Sequence, residues 1–496
     1  MIRTGTAAFV AVSILTAAAA APPPELTVGQ VVIRALELSP ELAVLRDEPA
    51  AFETLAAEER ALFDPLLSVA LGHERVAGRD LSASGRLFDY NTDSPVAELW
   101  LTTLLPIGTT LELGATNLVE DASADGQQLV EARLRASIRQ PLLRGVRPSV
   151  NRGRVRAARQ EAEGARHEAQ AAAATLAAEV EQACWDLILA REQIAVLEAA
   201  EAQARELRES VRERVGSGIT ARDQIVAAES EIALRRQDLS EARTLLDVST
   251  AVVVGYIGPL DAGGALELRI VDPLAAPAGV IGAVDALVES ALRDRPELAR
   301  ARVLAQRGED EVDRTRGLLL PQVDLWADAS LLGYGDTSRQ AWDDLDGRYW
   351  SVAAGLAFER VLGNRDDRAD HRRELVRRRQ AVNTVAGLER LVETEVRVAH
   401  AQARRSLDFI AAVTATRALD EQKLVVEQVR FELGQASAFQ VARAQRDLVE
   451  RRLDELTAIA ESHKALVELE RAAGRLLERH GLAVEPAPGT TETGPR

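Results

Sequence analysis

Metal binding and nucleophilic catalysis need histidines, cysteines and carboxylates at short, repeated spacing, and this chain does not supply it. His73 falls in an alternating stretch, while His167, His371, His400, His463 and His480 are spread along helical stretches with no cysteine or carboxylate at ligand spacing. Cys184 is the only cysteine, which excludes an intramolecular disulfide, a cysteine-based zinc site and a CxxC redox pair. No nucleophile–base pair favours a hydrolase. The sequence predicts no enzyme, no metal and no cofactor.

What remains is punctuation and charge. Two glycine-bearing turns, at residues 215–223 and 433–440, interrupt long helical stretches. Glycine can take the positive φ that ends a helix, and Ser217, Thr220 or Ser437 can cap the next one. That makes them hairpin turns, with or without a further role. Arg144, Arg147, Arg152, Arg154, Arg156 and Arg159 have no carboxylate among them, whereas Arg365, Arg368, Arg372, Arg373, Arg377, Arg378 and Arg379 are interspersed with Asp366, Asp367, Asp370 and Glu374. Both clusters can bind anionic lipid headgroups or pair with carboxylates on neighbouring helices.

The elements that hold these residues follow from composition. The chain has 496 residues and a formal charge of −17, with 60 Lys and Arg against 77 Asp and Glu, so nucleic acid is excluded as a partner. Arg3 precedes a small and apolar run over residues 6–21 that ends in alanines before three prolines. That reads as a secretory signal peptide, residues 1–21, cut near Ala19–Ala21. The rest of the chain has no apolar run of ~18 residues, so any membrane crossing has to be made by a β-barrel.

Residues 148–215 and 365–433 are rich in Ala, Glu, Arg, Gln and Leu, with no proline after Pro148. Each is expected to run about 100 Å as one helix. Leu176, Val180, Ala183 and Leu187, then Leu197, Ala200, Ala204, Leu207 and Val211, form the narrow seam of a coiled coil. Each long helix is followed by a glycine break and a return helix, over 221–254 and 439–479. Between the helices, stretches such as 67–71, 107–116, 130–139, 323–331 and 349–358 alternate apolar and polar residues. A soluble half-buried sheet and a membrane barrel both alternate in this way. Of nine Trp and Tyr residues, Tyr90, Trp100, Trp326, Tyr334, Trp342, Tyr349 and Trp350 fall in or beside these stretches. Interfacial girdles produce such crowding, although strands favour aromatics anyway.

The chain is duplicated. Ala35-Leu36-Glu37-Leu38-Ser39-Pro40-Glu41-Leu42 returns as Ala291-Leu292-Arg293-Asp294-Arg295-Pro296-Glu297-Leu298 at an offset of 256, which Pro65 and Pro321 share. Gly145 with Gly363, and Gly216 with Gly434, are offset by 218, so the first half carries 38 extra residues between Pro65 and Gly145. These twin openings, the strand exits Gln140-Pro141-Leu142-Leu143-Arg144-Gly145 and Leu362-Gly363-Asn364-Arg365, and the turn Arg430-Phe431-Glu432-Leu433-Gly434-Gln435-Ala436-Ser437 resemble the outer membrane efflux protein (TolC-like) family over essentially the whole chain after the leader.

The resemblance implies a mainly α fold with a β-barrel part: duplicated long helical hairpins in a coiled-coil barrel, plus transmembrane strands that complete a barrel in the trimer. Its expected layout is short periplasmic helices at 25–64, strands at 65–145 and a first hairpin at 146–258 with its tip near 216–220. A linker with short helices follows at 259–320, then strands at 321–363, a second hairpin at 364–480 with its tip near 434–438, and a disordered tail at 481–496. It implies a homotrimeric exit duct in the outer membrane that extends into the periplasm, in contact with outer membrane lipid. That duct docks onto a periplasmic adaptor and an inner-membrane pump of a tripartite efflux or type I secretion system. A non-conducting periplasmic coiled-coil spacer is the competing reading.

By the same resemblance the tips, with Gly216, Ser217, Gly218, Thr220, Asp223, Gly434, Ala436, Ser437, Gln440 and Arg443, form the periplasmic mouth and adaptor dock. Pro141, Gly145, Gly363 and Asn364 mark the strand-to-helix junctions, and Trp100, Trp326, Tyr334, Tyr349 and Trp350 are expected at the membrane interface. Three positions depart from the family's pattern. Val361 stands where members often carry proline, Asp223 lies one residue farther past Gly216 than usual, and Gln440 and Arg443 replace gate aspartates. An acidic, cation-sensitive gate is therefore not expected. Four alternating stretches in the first half, 66–75, 96–105, 108–117 and 129–140, joined by long, short and long connections, favour six strands per subunit in place of the usual four, hence 18 in the trimer; a hairpin lying outside a twelve-strand wall is the other reading of the extra residues.

Overall fold

The computed structural model describes residues 25–81, 85–121, 128–218, 221–258, 268–279 and 281–482. The expected signal peptide at 1–21, Thr220 and residues 483–496 of the expected tail lie outside the described residues.

In chain order the elements are β1 (Glu25–Leu26), α1 (Val28–Leu38), α2 (Pro40–Arg60), β2 (Leu66–Leu81), β3 (Leu87–Leu104), β4 (Thr110–Asp121), β5 (Gln128–Pro141), α3 (Pro148–Asn151), α4 (Gly153–Gly216) and α5 (Asp223–Ile257). The second half adds β6 (Arg269–Ile270), α6 (Val284–Asp294), α7 (Pro296–Leu318), β7 (Gln322–Gly335), α8 (Ser338–Asp343), β8 (Tyr349–Glu359), α9 (Arg365–Glu432), α10 (Ala438–Ala472) and α11 (Leu476–Arg479).

The duplication is visible element by element. Pro40 and Pro296 each open a helix at its first position, where the missing N–H costs nothing. β2 and β7 start 256 residues apart, and β5 and β8 end 218 residues apart. The chain gains β3 and β4 between those two anchors.

Packing gathers the described residues into two units, and neither is one half of the duplication. One unit comprises Leu176–Val280 and Gln402–Val467 with the segment before Ser39; the other comprises Pro40–Thr175, Ile281–Ala401 and the chain after Glu468. Contacts are therefore made between the halves within each unit.

In the first unit, β1 and β6 pair in parallel. The Thr27 side chain and Gln30 form a capping box that starts α1. The expected seam of α4 is its buried stripe, with Val180, Leu187, Leu197, Ala200, Ala204, Leu207 and Val211 all buried. Near its two hairpin turns, Leu207 and Val211 of α4, Leu424 and Phe431 of α9, and Val441, Ala442 and Leu448 of α10 share one apolar cluster.

In the second unit, six strands form one antiparallel sheet in the order β2-β3-β4-β5-β7-β8. The long connection expected over 76–95 is corrected by the structure, since most of it is strand. β2 and β3 pair continuously from Leu66 with Thr102 out to Leu81 with Leu87. Backbone pairing carries the hairpin on after the apolar alternation has stopped, because the ladder needs no apolar face.

Candidate functional site

Every ladder in the sheet is continuous, so residue parity assigns each side chain to a face. On one face Leu67 lies opposite Leu101, Leu101 opposite Leu113, Leu113 opposite Ala136, Ala136 opposite Ala329, and Ala329 opposite Val352. This apolar face is the exposed one: Leu71 is 81% exposed and Phe358 69%. At its loop end α8 lays Ala341 and Trp342 over Val130 and Ala132.

The other face carries the charge. Ser68 lies opposite Trp100, Trp100 opposite Gly114, Gly114 opposite Arg135, Arg135 opposite Ser330, and Ser330 opposite Ser351. Arg135 reaches Asp328 at 2.7 Å and Arg133 reaches Glu131 at 2.6 Å. A sheet in water buries its apolar face and solvates its polar one. Here the apolar face is left open as well.

Past the end of β5, Leu142 N donates to Val323 O at 2.7 Å and Arg144 N to Pro321 O at 3.3 Å, which ties the first exit to the start of β7. Gly145 and Gly363 take positive φ, at 85° and 93°. Asn364 also has positive φ and is the single non-glycine to do so among the described residues. Its carbonyl accepts from Arg368 N, the first turn of α9. Pro141 closes β5 opposite Asp324. Arg144 Nη1 bonds Asp367 Oδ2 at 2.8 Å.

At the second hairpin turn, Gln435 N donates to Arg430 O and Gly434 N to Phe431 O, with Gly434 at φ 73°. This is a Schellman ending with glycine at its left-handed position. Ser437 then starts α10 with a capping box: its N–H donates to Gln440 Oε1 at 2.8 Å while Gln440 N donates to Ser437 Oγ at 3.4 Å. Ala438 N donates to Gln224 Oε1 at 3.1 Å, and Arg214 Nη1 to Phe431 O at 2.7 Å, so the first hairpin caps the second.

No family model and no curated protein matches the sequence. Solved structures do. The outer-membrane channel OprN is similar at 15% identity over 90% of this chain and 89% of its own, with a TM-score of 0.64. The outer membrane protein VceC from Vibrio cholerae is similar at 16% identity over 90% and 96%, again at 0.64. The MtrE outer membrane channel of Neisseria gonorrhoeae is similar at 15% identity over 90% and 89%, at 0.61. The chain has the TolC-like efflux-channel fold. At these identities the likeness is one of fold.

Within the efflux-channel fold, the residues picked from the sequence fall into three groups. The tip residues Gly434, Ala436, Ser437 and Gln440 lie in one turn, and Gly216, Ser217, Gly218 and Asp223 in the other. Gly216, the offset partner of Gly434, is not the left-handed residue of this turn. Gly218 is, at φ 75°, because Ser217 N and Gly218 N repeat the bonds of Leu433 and Gly434 to the helix before them. Gln440 is committed to capping α10, while Arg443 and Asp223 are exposed.

The five aromatics expected at a membrane interface divide between the two faces of the sheet. Trp350 is 66% exposed on the apolar face. Trp100, Trp326, Tyr334 and Tyr349 have the parity of the charged face. The reason is packing: Trp100 lies over Gly114, and a Cβ on Gly355 would sit 2.9 Å from Trp326 Cζ2, so each indole covers a glycine of the next strand. Trp100 Nε1 also donates to Glu98 Oε2 at 3.2 Å, and Tyr334 meets Tyr349 edge-on at 5.3 Å.

Of the two readings left open for the arginines, pairing with carboxylates of another element is realised for Arg144 with Asp367 and Arg156 with Asp310 at 3.0 Å, whereas Arg377 pairs with Glu374 of its own helix at 2.8 Å. The histidines are dispersed: His167 bonds Gln170, His371 bonds Thr315 and His463 stacks on Trp185. Among the described residues no group of His, Cys, Asp and Glu could hold a metal ion.

Sequence reasoning missed Arg214, whose partner lies 217 residues away, and the buried Glu231–Arg235 pair that Arg446 joins at 2.6 Å. An arginine in the last turn of α4 was the only local signal for the first, and an i,i+4 Glu–Arg spacing for the second.

Proposed function

We propose that this protein is the outer membrane channel subunit of a tripartite efflux or type I secretion system. It is a passive exit duct that works as a homotrimer, lies in the outer membrane and reaches into the periplasm. One observation carries the reading: a six-stranded sheet that exposes an apolar face and keeps its ion pairs on the other. A lipid-facing wall around an aqueous lumen needs an open apolar face backed by a polar one, and a periplasmic spacer has no use for it.

Assembly as a homotrimer is supported by α9. Leu419 and Val426, with Leu433 one residue past its end, recur at seven-residue steps and are all more than half exposed. A heptad stripe left uncovered within one chain fits a helix of another copy. The hairpin turns are the surface for a periplasmic adaptor, which in turn engages an inner-membrane pump. No step of chemistry is assigned to the protein itself. Its part is to enclose a path.

The test is extraction and loss of function. Outer membranes should release the protein only with detergent, as a trimer that cross-links to an adaptor, and deletion should raise the cell's sensitivity to exported compounds. A monomer washed out with periplasmic contents would overturn the reading.

A further inference from the structure

The sheet ends in two edges. Among the described residues β2 pairs only with β3, and β8 only with β7, so each presents a row of unpaired N–H and C=O groups. In water such edges invite pairing, and in hydrocarbon each unpaired group costs several kcal/mol. A wall in a bilayer therefore has to close. The question is which strands meet.

β4 has no free edge at the level of the wall. Ala97–Leu104 of β3 occupies one side of it and β5 the other. The hairpin of β2 and β3 also belongs to the wall by composition. Leu67 and Val69 of β2 continue the exposed apolar face through Leu101 and Leu99 without a change of side. A hairpin lying on the wall or inside the lumen would bury or wet those leucines instead. Direction adds a further constraint. All five ladders are antiparallel and the strands number six, so β8 runs opposite to β2. A second copy placed with its β2 against β8 therefore continues the antiparallel order, which an odd count of strands would break.

We propose that the joint between neighbouring subunits is a β8–β2 ladder, and that three copies of six strands close a single barrel of 18. The proposal rests on the trimeric duct described above and adds which strands form its seam and how wide it is. Barrels of 16–18 strands leave an open aqueous channel. The charged face with Arg133, Arg135, Asp324 and Asp328 would line it.

Strand counting in the detergent- or nanodisc-held trimer by electron microscopy tests this directly. Disulfide trapping tests it independently, since a bridge needs Cα atoms within about 7 Å. Ala353→Cys in β8 is combined with Ser68→Cys, Ala70→Cys or Gly72→Cys in β2, all on the charged face, and buried Cys184 supplies no competing thiol. The expected result is 18 strands and at least one pair that oxidises to a covalent trimer, with each single variant remaining monomeric on a denaturing gel. A trimeric duct with twelve wall strands, or with Ala353→Cys trapped by Thr116→Cys of β4 and by none of the β2 positions, would overturn the seam and leave the duct intact. A water-soluble monomer would overturn the duct itself.

Discussion

Arg214 of one helical hairpin closes the end of a helix in the other. Its Nη1 donates to Phe431 O at 2.7 Å, its Nη2 to Glu432 O at 3.4 Å, and its guanidinium carbon stands 4.3 Å above the Phe431 ring. A cation placed on the last carbonyls of α9 satisfies acceptors that the helix cannot, and it opposes the negative end of the helix dipole.

Arg214→Ala should therefore loosen the second tip. A charged hydrogen bond of this kind is worth about 1.5–3 kcal/mol. Hydrogen exchange at the Gly434 and Gln435 amides should accelerate by at least about tenfold while the strands stay protected. Arg214→Lys should recover only part of the loss, because an ammonium cannot span two carbonyls and lie flat on a ring. Unchanged exchange in the alanine variant would show the cap to be idle.

A methyl group on Gly434 would meet only open space, but the residue sits at φ 73°. Gly434→Val should cost about 1–2 kcal/mol through backbone strain alone. Export should fall with trimer yield preserved, and Gly434→Asn should be tolerated better. Normal export by the valine variant would mean the turn is not used in docking.

Trp100 occupies the room that a side chain at Gly114 would need. Gly114→Val should lower the heat resistance of the detergent-held protein by overpacking, at about 1–3 kcal/mol. The same change in a Trp100→Leu background should cost clearly less, since the ring is what it collides with. Equal losses in both backgrounds would contradict the contact.

Cys184 is fully buried, and burial pushes its thiol well above the ordinary cysteine range, with Glu181 and Asp272 adding in the same direction. The thiol is therefore protonated in the folded chain at neutral and mildly alkaline pH. Maleimide labelling at pH 8 should run at least about tenfold slower in the native protein than in urea, and raising the pH to 9 should not rescue it. Rapid native labelling would place the residue at the surface.

The sequence alone determined the elements and their order. Apolar steps of three and four residues along Leu197, Ala200, Ala204 and Leu207 fix a helix and its buried stripe. The twin offsets of 256 and 218 fix a duplication whose first copy carries two additional strands. Ser437 and Gln440, three residues apart, are a local signal for the capping box that they form. These features depend on neighbours along the chain, where spacing is legible.

What the sequence could not decide depends on partners far away. Alternation in 130–139 and 323–331 fitted a soluble sheet as well as a membrane wall, and only the ladders showed one apolar face crossing all six strands while remaining exposed. The face each tryptophan takes was hidden for the same reason. Composition located Trp100 and Trp326 in strands, but the side they take is set by a cross-strand glycine that the ring must cover. Arg214 had no visible role until packing brought Phe431 beneath it, because a side chain caps a distant helix only after the hairpins have met.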